Sequence, residues 1–161
     1  MIKYDSFGKV LFEGEYVNGK KHGKFKEYNK EYLIFEGEYL YDKKWTGKGY
    51  DEYDNIIYEI FNGNGRVKEY NVHGNLIFEG EYLNGERNGK GKEYDEYNKY
   101  LSFEGEYLNG ERNGKGKEYN YDGNIIFEGE YLNGKRNGKG KEYYNGNLFA
   151  FFFFTFYNIL L

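Results

Sequence analysis

The sequence predicts an all-β fold, a single-layer, elongated antiparallel meander of repeated β-hairpins. One long phrase, Phe-Glu-Gly-Glu-Tyr-Leu-Asn-Gly-Glu-Arg-Asn-Gly-Lys-Gly-Lys-Glu-Tyr, spans residues 78–94, recurs unchanged at 103–119 and returns with one substitution at 127–143. Polar and apolar side chains alternate within it, as in a β-strand, and Gly-rich turn signals separate the alternating stretches. A repeat of about 23 residues is a small unit that must stack on its neighbours to bury its apolar face.

The repeats form an array that covers residues 1–149. Its copies begin near residues 12, 35, 58, 78, 103 and 127. The copy at 58–70 is short, but its Asn64-Gly65-Arg66 still matches Asn88-Gly89-Lys90 of the next copy. We therefore expect six stacked hairpin units, of which the third is shortened.

An apolar tail, residues 150–161, follows the array. Another Phe-Glu-Gly-Glu-Tyr is due at Ala150, but the chain continues Ala-Phe-Phe-Phe-Phe-Thr-Phe-Tyr-Asn-Ile-Leu-Leu. A helix over residues 148–161 would extend about 21 Å, which is short of the roughly 30 Å hydrocarbon layer. The alternatives are a folded cap over the last repeat, a membrane-surface or partner-binding segment, a spanning helix and a disordered end.

The composition favours aromatic packing and excludes several classes of protein. The chain is 22% aromatic and has 24 Gly, but no Pro and no Cys. Disordered chains are poor in aromatic residues, so we expect aromatic burial to stabilise this fold. Without cysteine there is neither a disulfide framework nor a thiolate metal site. The net charge of −4 lacks the basic excess of a nucleic-acid binder, so we expect no nucleic acid partner.

Two kinds of turn signal alternate along the array. The first is Asn-Gly, a pair that suits a tight hairpin turn because Gly accepts a positive φ and Asn tolerates it. It recurs at Asn18-Gly19, Asn84-Gly85, Asn109-Gly110 and Asn133-Gly134. The second precedes the strands, as in His73-Gly74-Asn75 and Asp122-Gly123-Asn124. The hairpin of the fourth copy is thus predicted as a strand at 76–83 and a partner at 89–94.

The alternation within this hairpin predicts two different faces. Phe78, Gly80 and Tyr82 point one way, whereas Glu79 and Glu81 point the other way. If Gly of the partner strand lies beside the aromatic residues, its lysines lie beside the glutamates. A Cβ at the glycines would occupy the volume of an aromatic ring that lies flat on the sheet.

We predict no catalytic, cofactor or metal site. Serine occurs only at Ser6 and Ser102 and histidine only at His22 and His73, so a nucleophile and its base cannot be assembled. The run 85–91 lacks the spacing, the Ser or Thr and the following helix of a phosphate loop. The expected chain is non-enzymatic and binds no cofactor.

The phrase resembles the MORN (membrane occupation and recognition nexus) repeat, whose pattern is aromatic-x-Gly-x-aromatic, then Gly, then Gly-x-Gly followed by an aromatic residue. The matching residues are Phe78, Gly80, Tyr82, Gly85, Gly89, Gly91 and Tyr94, with their equivalents in the next two copies. An extra residue such as Glu93 precedes the last Tyr, as in a bacterial variant found in antitoxin-like proteins. The resemblance implies a twisted single-layer sheet that acts as a scaffold at membranes or the cytoskeleton, or beside an enzyme domain.

The function we predict is the binding of a protein partner through the aromatic, Gly-lined face, with self-association as one form of it. The expected contact residues are Phe78, Tyr82, Tyr94, Phe103, Tyr107, Tyr119, Phe127, Tyr131 and Tyr143. Tyrosine is favoured at interfaces because it brings contact area with little loss of entropy. The alternative is that the rings only bury one another, edge to face.

A membrane-surface adaptor is the second function that the sequence allows. It would bind anionic lipid through the apolar tail and basic residues. These are Arg87, Lys90, Lys92, Arg112, Lys115, Lys117, Arg136, Lys139 and Lys141. The glutamates beside them weaken that attraction. The N-terminus lacks the apolar core of a secretory signal, so we expect a cytoplasmic protein, either free or at a membrane surface.

Overall fold

A computed structural model describes residues 1–71 and 73–154, which form fourteen β-strands. The strands are β1 Ile2–Tyr4, β2 Val10–Val17, β3 Lys20–Asn29, β4 Tyr32–Leu40, β5 Lys43–Tyr50, β6 Ile56–Phe61, β7 Asn64–Tyr70, β8 Leu76–Leu83, β9 Glu86–Tyr94, β10 Leu101–Leu108, β11 Glu111–Tyr119, β12 Ile125–Leu132, β13 Lys135–Tyr144 and β14 Asn147–Phe154. Each strand is hydrogen-bonded to its neighbours in the sequence. The predicted all-β antiparallel meander is therefore confirmed.

The chain divides into two compact units, Met1–Glu86 and Arg87–Leu161. Each unit has its own buried core of apolar side chains. The core of the first unit is Phe25, Phe35, Tyr39, Tyr58, Ile60 and Val67. The core of the second unit contains Phe103, Tyr107, Phe127 and Tyr131. The aromatic positions of the repeat recur in both cores, whereas Phe25, Ile60 and Val67 of the first unit stand where the best copies have glycine.

The Asn-Gly pairs form two-residue turns, as predicted. Asn109 and Gly110 have φ values of 52° and 87°, and Asn133 and Gly134 have values of 49° and 76°. Positive φ at both central residues matches the right-handed twist of the flanking strands.

In the repeat hairpins, glycines lie opposite glycines on one face of the sheet, and glutamates lie opposite lysines on the other face. Gly105 lies opposite Gly116, and Glu104 lies opposite Lys117. The prediction that lysines lie beside glutamates is thus confirmed. The register then shifts before Tyr107. The sequence analysis did not predict this irregularity, in which β11 has two residues more than β10.

The paired glycines leave room for an aromatic ring. A Cβ added to Gly105 would lie 2.6 Å from Cζ of Phe103, and one added to Gly116 would lie 2.5 Å from the same atom. Gly129 and its neighbour across the strand pair leave the same space for Phe127. Glycine is therefore required here by the close approach of the ring, as predicted.

The short third copy still forms a hairpin. β6 and β7 are joined through Asn62, which has a φ of 49°, and Gly63, which has a φ of 75°. Gly65 lies opposite Tyr82, just as Gly89 lies opposite Tyr107. The predicted match of residues 64–66 to residues 88–90 is confirmed, and the deletion falls between the turn and Gly65.

The first residues of the predicted tail are extended. Ala150 and the residues up to Phe154 belong to β14, which pairs with β13. A helix that begins at residue 148 is therefore not formed, and the remainder of the tail, residues 155–161, lies outside the described residues. The described part of the chain contains no helix that is long and apolar enough to cross a membrane.

Candidate interaction surface

The nine aromatic residues predicted to bind a partner lie on two faces of the sheet. Phe103 is opposite Glu118, so these two side chains share a face. Tyr119, the next residue, points to the other face, where its hydroxyl donates a 2.5 Å hydrogen bond to Glu104. Tyr94 and Tyr143 follow the same alternation. This corrects the expectation of one shared aromatic face, and simple alternation from the preceding glycine already predicts the correct side.

Most of the remaining predicted residues are buried. Phe78, Phe103 and Phe127 are 0% exposed, and Tyr107 and Tyr131 are 4% exposed. Tyr82 is half-buried. These five rings form the buried core of the single-layer sheet. They therefore offer almost no accessible area to a partner.

A repeated group of three polar side chains, here called the Glu–Tyr–Arg triad, lies above these rings. In one copy the Tyr107 hydroxyl donates a 2.6 Å hydrogen bond to Glu93, and Arg112 donates two, of 3.1 Å and 2.5 Å, to the same carboxylate. Burial alone would raise the pKa of Glu93, but the hydrogen bonds from Arg112 and Tyr107 lower the pKa overall. Glu93 is therefore ionised and paired at neutral pH.

The next copy contains the same triad. The Tyr131 hydroxyl donates a 2.6 Å hydrogen bond to Glu118. Arg136 donates to Glu118 at 3.0 Å and 2.5 Å, and to Glu142 at 2.6 Å. The repeat thus reproduces the polar layer together with the aromatic one.

Each phenylalanine is enclosed by the triads and by neighbouring tyrosines. The Arg112 guanidinium lies 3.9 Å from the centroid of the Phe103 ring. Tyr107 and Tyr131 meet this ring edge to face, with centroids 5.8 Å and 5.2 Å away. The rings bury one another, as the sequence analysis considered, and an arginine completes the cover.

Lysines replace the arginines in the first unit. The carboxylate of Glu27 accepts a 2.5 Å hydrogen bond from Tyr39 and pairs with Lys21 at 2.8 Å and Lys44 at 3.0 Å. Lys44 Nζ lies 4.3 Å from the centroid of the Phe35 ring. Burial would raise the pKa of Glu27, but the two lysines and the hydrogen bonds lower it to about 2.

The other face of the sheet carries the alternating glutamates and lysines. Lys141 pairs with Glu128 at 3.0 Å, and the Tyr143 hydroxyl donates a 2.7 Å hydrogen bond to the same carboxylate. Lys26 and Glu36 pair at 3.4 Å. Several basic residues that the sequence offered for lipid binding are therefore already paired with carboxylates, which reduces their attraction for anionic lipid.

Among the side chains that the structure describes, the most exposed aromatic ones project from the loops that join successive hairpins. We call them the loop-tip residues: Phe7 and Tyr53 in the first unit, and Tyr97 and Tyr121 in the second. They are 75–87% exposed. Sequence analysis missed them because it considered only the strands, although each stands within a short polar stretch that begins with Asp or Asn.

The first residue of each of these loops clamps the loop. Asp95 accepts hydrogen bonds from the backbone N–H groups of Tyr97 at 3.0 Å and Asn98 at 2.7 Å. Asn120 accepts them from Asp122 at 3.1 Å and Asn124 at 2.9 Å. An Asp or Asn side chain that bonds the backbone two residues later is an Asx-turn, which orders the loop locally.

Residues that could support metal chemistry do not cluster in the described ranges. Within residues 1–71 and 73–154, no three side chains from His, Asp and Glu are grouped as a metal site would require. His22 lies in β3 with its ring 4.7 Å from that of Tyr41, and His73 lies exposed in a loop. The two histidines are therefore in a strand and in a loop of the first unit, respectively.

Comparison with protein families identifies the MORN repeat at residues 12–24, 78–96, 103–125 and 127–148. These stretches contain the aromatic and glycine positions of the three best copies. The likeness to the antitoxin-like variant is not confirmed, and no curated protein matches the sequence. MORN repeats indicate a repeat module for interaction with proteins or membrane lipids. The chain belongs to the MORN repeat family.

Proposed function

We propose that the chain is a non-enzymatic interaction module that binds a protein partner, and that the loop-tip residues supply its main contacts. The observation that carries the proposal is the exposure of Tyr53, Tyr97 and Tyr121 on clamped loops. A large exposed ring on a loop whose backbone is already ordered brings contact area at little cost in backbone entropy. This shifts the proposed contacts from the aromatic face of the strands to the loops between hairpins.

The charges beside the loop-tip residues favour a basic partner surface. Glu52 and Asp54 flank Tyr53, Glu96 precedes Tyr97, and all three carboxylates are exposed. Opposite charge on a partner would speed the encounter and fix its orientation. The buried rings beneath contribute indirectly, because they hold the strands from which the loops extend.

The test is affinity capture from a lysate of the source organism, followed by quantitative mass spectrometry. We compare the wild-type chain with Tyr97→Ala/Tyr121→Ala and with a matched control, Leu108→Ala/Leu132→Ala. The control removes two exposed side chains at the opposite ends of the strands. We expect the tyrosine variant to capture about tenfold less of one partner protein than the wild type, and the control to capture the same amount as the wild type. A tenfold loss corresponds to about 1.4 kcal/mol of binding free energy. Equal capture by all three chains, with equal thermal stability, would refute the proposal.

A membrane surface is the second candidate, because an exposed apolar residue precedes each turn of the best copies. Leu83 does so in the first unit, and Leu108 and Leu132 do so in the second. Lys135, which follows the turn after Leu132, is also exposed. Exposed aliphatic groups beside a cation suit the surface of an anionic bilayer.

Co-sedimentation with liposomes tests this second candidate. We compare anionic with neutral vesicles at low and high salt, for the wild-type chain and for Leu108→Ser/Leu132→Ser. Binding that needs anionic lipid and is weakened in the variant would support a cytoplasmic protein held at a membrane surface. A wild-type chain that sediments with neither vesicle would exclude lipid binding by this surface.

A further inference from the structure

β14 occupies the place of the first strand of a further repeat. By register, Ala150 takes the position that Phe127 has in the preceding repeat, and Phe152 takes that of Gly129. Phe152 therefore lies opposite Gly140, where the repeat normally has a second glycine. The large and the small residue have thus exchanged places: Ala150 stands at the position of a phenylalanine, and Phe152 stands at the position of a glycine.

The glutamates of this strand have also been replaced by phenylalanines. Phe151 and Phe153 take the positions of Glu128 and Glu130, opposite two lysines of β13. They are 63% and 73% exposed. The charged face of the sheet thus becomes apolar at its last described strand.

This strand lies at the end of the strand order. Among the described residues, β13 is the only strand paired with β14. Edge strands in natural proteins are usually short, charged or bulged, because an open apolar edge pairs with other chains. β1, at the other end of the order, has only three residues, and the register shift of β14 lies near its start, between Leu148 and Ala150. β14 runs from Asn147 to Phe154 without a charged residue.

We propose that β14 pairs with β14 of a second copy of this chain, as antiparallel strands related by a two-fold axis. Two identical edges close in this way into a dimer with no edge left at the junction. The inference concerns this edge alone and does not depend on the loop-tip residues.

The uncharged side chains of β14 favour pairing with a second copy of the same strand. Pairing two copies of β12 edge to edge would bring Glu128 and Glu130 near their own equivalents, and like charges oppose pairing. In β14 the same positions hold Phe151 and Phe153, and aromatic residues form favourable cross-strand pairs. A run of phenylalanines also pairs with itself in more than one register, so it needs no complementary sequence.

The first test measures the mass of the full chain by light scattering over a range of concentrations. The informative variant is Phe151→Glu/Phe153→Glu, which restores the glutamates of the repeat opposite lysines and should therefore fold. Ile56→Glu/Phe61→Glu is the control, since it adds the same charge at exposed apolar positions elsewhere. We expect the wild type and the control to have twice the chain mass of 19.2 kDa and the variant to have a single chain mass. A single mass for the wild type, or a double mass for the variant, would overturn the proposal.

The second test uses the absence of cysteine from the chain. A single Leu148→Cys, Phe151→Cys or Phe153→Cys can form a disulfide only between copies. We expect rapid oxidative cross-linking at one or more of these positions and none at Phe7→Cys, an exposed control in the first unit. No cross-link at any of the three would mean that residues 155–161 or another ligand covers the edge, and would overturn the proposal. So would a monomeric wild type whose sedimentation with liposomes requires Phe151 and Phe153.

Discussion

The Arg112 guanidinium covers the Phe103 ring, with its Cζ 3.9 Å from the ring centroid. The same guanidinium donates two hydrogen bonds to Glu93. A single-layer sheet has no second layer to cover its aromatic residues, so a planar, weakly hydrated cation serves as the lid while its edge bonds a carboxylate. This explains how a chain with 31% charged residues buries Phe103 completely.

Replacing Arg112 should destabilise the fold, and the effect should grow with the number of guanidinium contacts that the replacement removes. We expect Arg112→Lys to lower the free energy of unfolding by about 1 kcal/mol, because lysine lacks the planar two-point contact, and Arg112→Ala by about 2 kcal/mol. Urea unfolding monitored by tyrosine fluorescence measures both. Glu111→Lys is the matched control: the next copy has Lys135 at this turn position, so the change should stay within about 0.5 kcal/mol. Equal stability of Arg112→Ala and wild type would show that the lid does not stabilise the ring.

The glycine beneath the ring gives a second prediction. A Cβ at Gly105 would lie 2.6 Å from Phe103, 2.7 Å from the Lys115 carbonyl oxygen and 2.8 Å from Cα of Gly116. Two of these neighbours are backbone and cannot move aside cheaply. We therefore expect Gly105→Val to cost about 3 kcal/mol, measured as a fall in the urea midpoint.

The control for this glycine lies on the same strand. Leu108→Val changes an exposed side chain and should alter stability by less than about 0.5 kcal/mol. Similar midpoints for Gly105→Val and Leu108→Val would contradict the role assigned to the glycine.

The strands, turns and glycines could be predicted from sequence because they depend on local rules. Asn-Gly fixes a turn through its backbone conformation, and alternation fixes the faces. Alternation also places the ring of Tyr119, three residues after Gly116, on the charged face.

Other features depend on contacts between repeats, which local patterns do not reveal. Arg112 reaches Glu93, 19 residues earlier in the sequence. The role of that arginine as a lid follows only when the strands are in register. Likewise, only the pairing of β14 with β13 shows that Phe151 and Phe153 occupy the positions of the repeat glutamates.

Acid should weaken the first unit through Glu27. The pKa of this carboxyl falls from its ordinary value of 4.5 to about 2, although burial alone would raise it, because Lys44 and Lys21 favour the charged form. A folded-state pKa below the unfolded one means that the stabilisation is present above about pH 4.5 and is lost as the pH falls towards 2. The loss should amount to about 3 kcal/mol.

Urea unfolding between pH 2 and pH 7 tests this dependence. Glu27→Gln should be less stable at pH 7, because two lysines lose their carboxylate, but its stability should change less between pH 4.5 and pH 2. Glu36→Gln removes a more exposed carboxylate, paired with Lys26 at 3.4 Å, and should keep the wild-type slope. Parallel pH profiles for Glu27→Gln and wild type would rule out the assignment.

The loop clamp gives the last prediction. Asn120 accepts hydrogen bonds from the backbone of Asp122 and Asn124. Asn120→Ala removes this acceptor and should cost about 1 kcal/mol, whereas Asn120→Asp should be tolerated, because Asp95 clamps the preceding loop in the same way. Hydrogen exchange of the Asn124 amide reports the clamp directly: we expect faster exchange in Asn120→Ala and wild-type protection in Asn120→Asp. If the alanine variant retained full protection, the loop would be ordered by something other than this side chain, and the proposed preorganisation of Tyr121 would lose its physical basis.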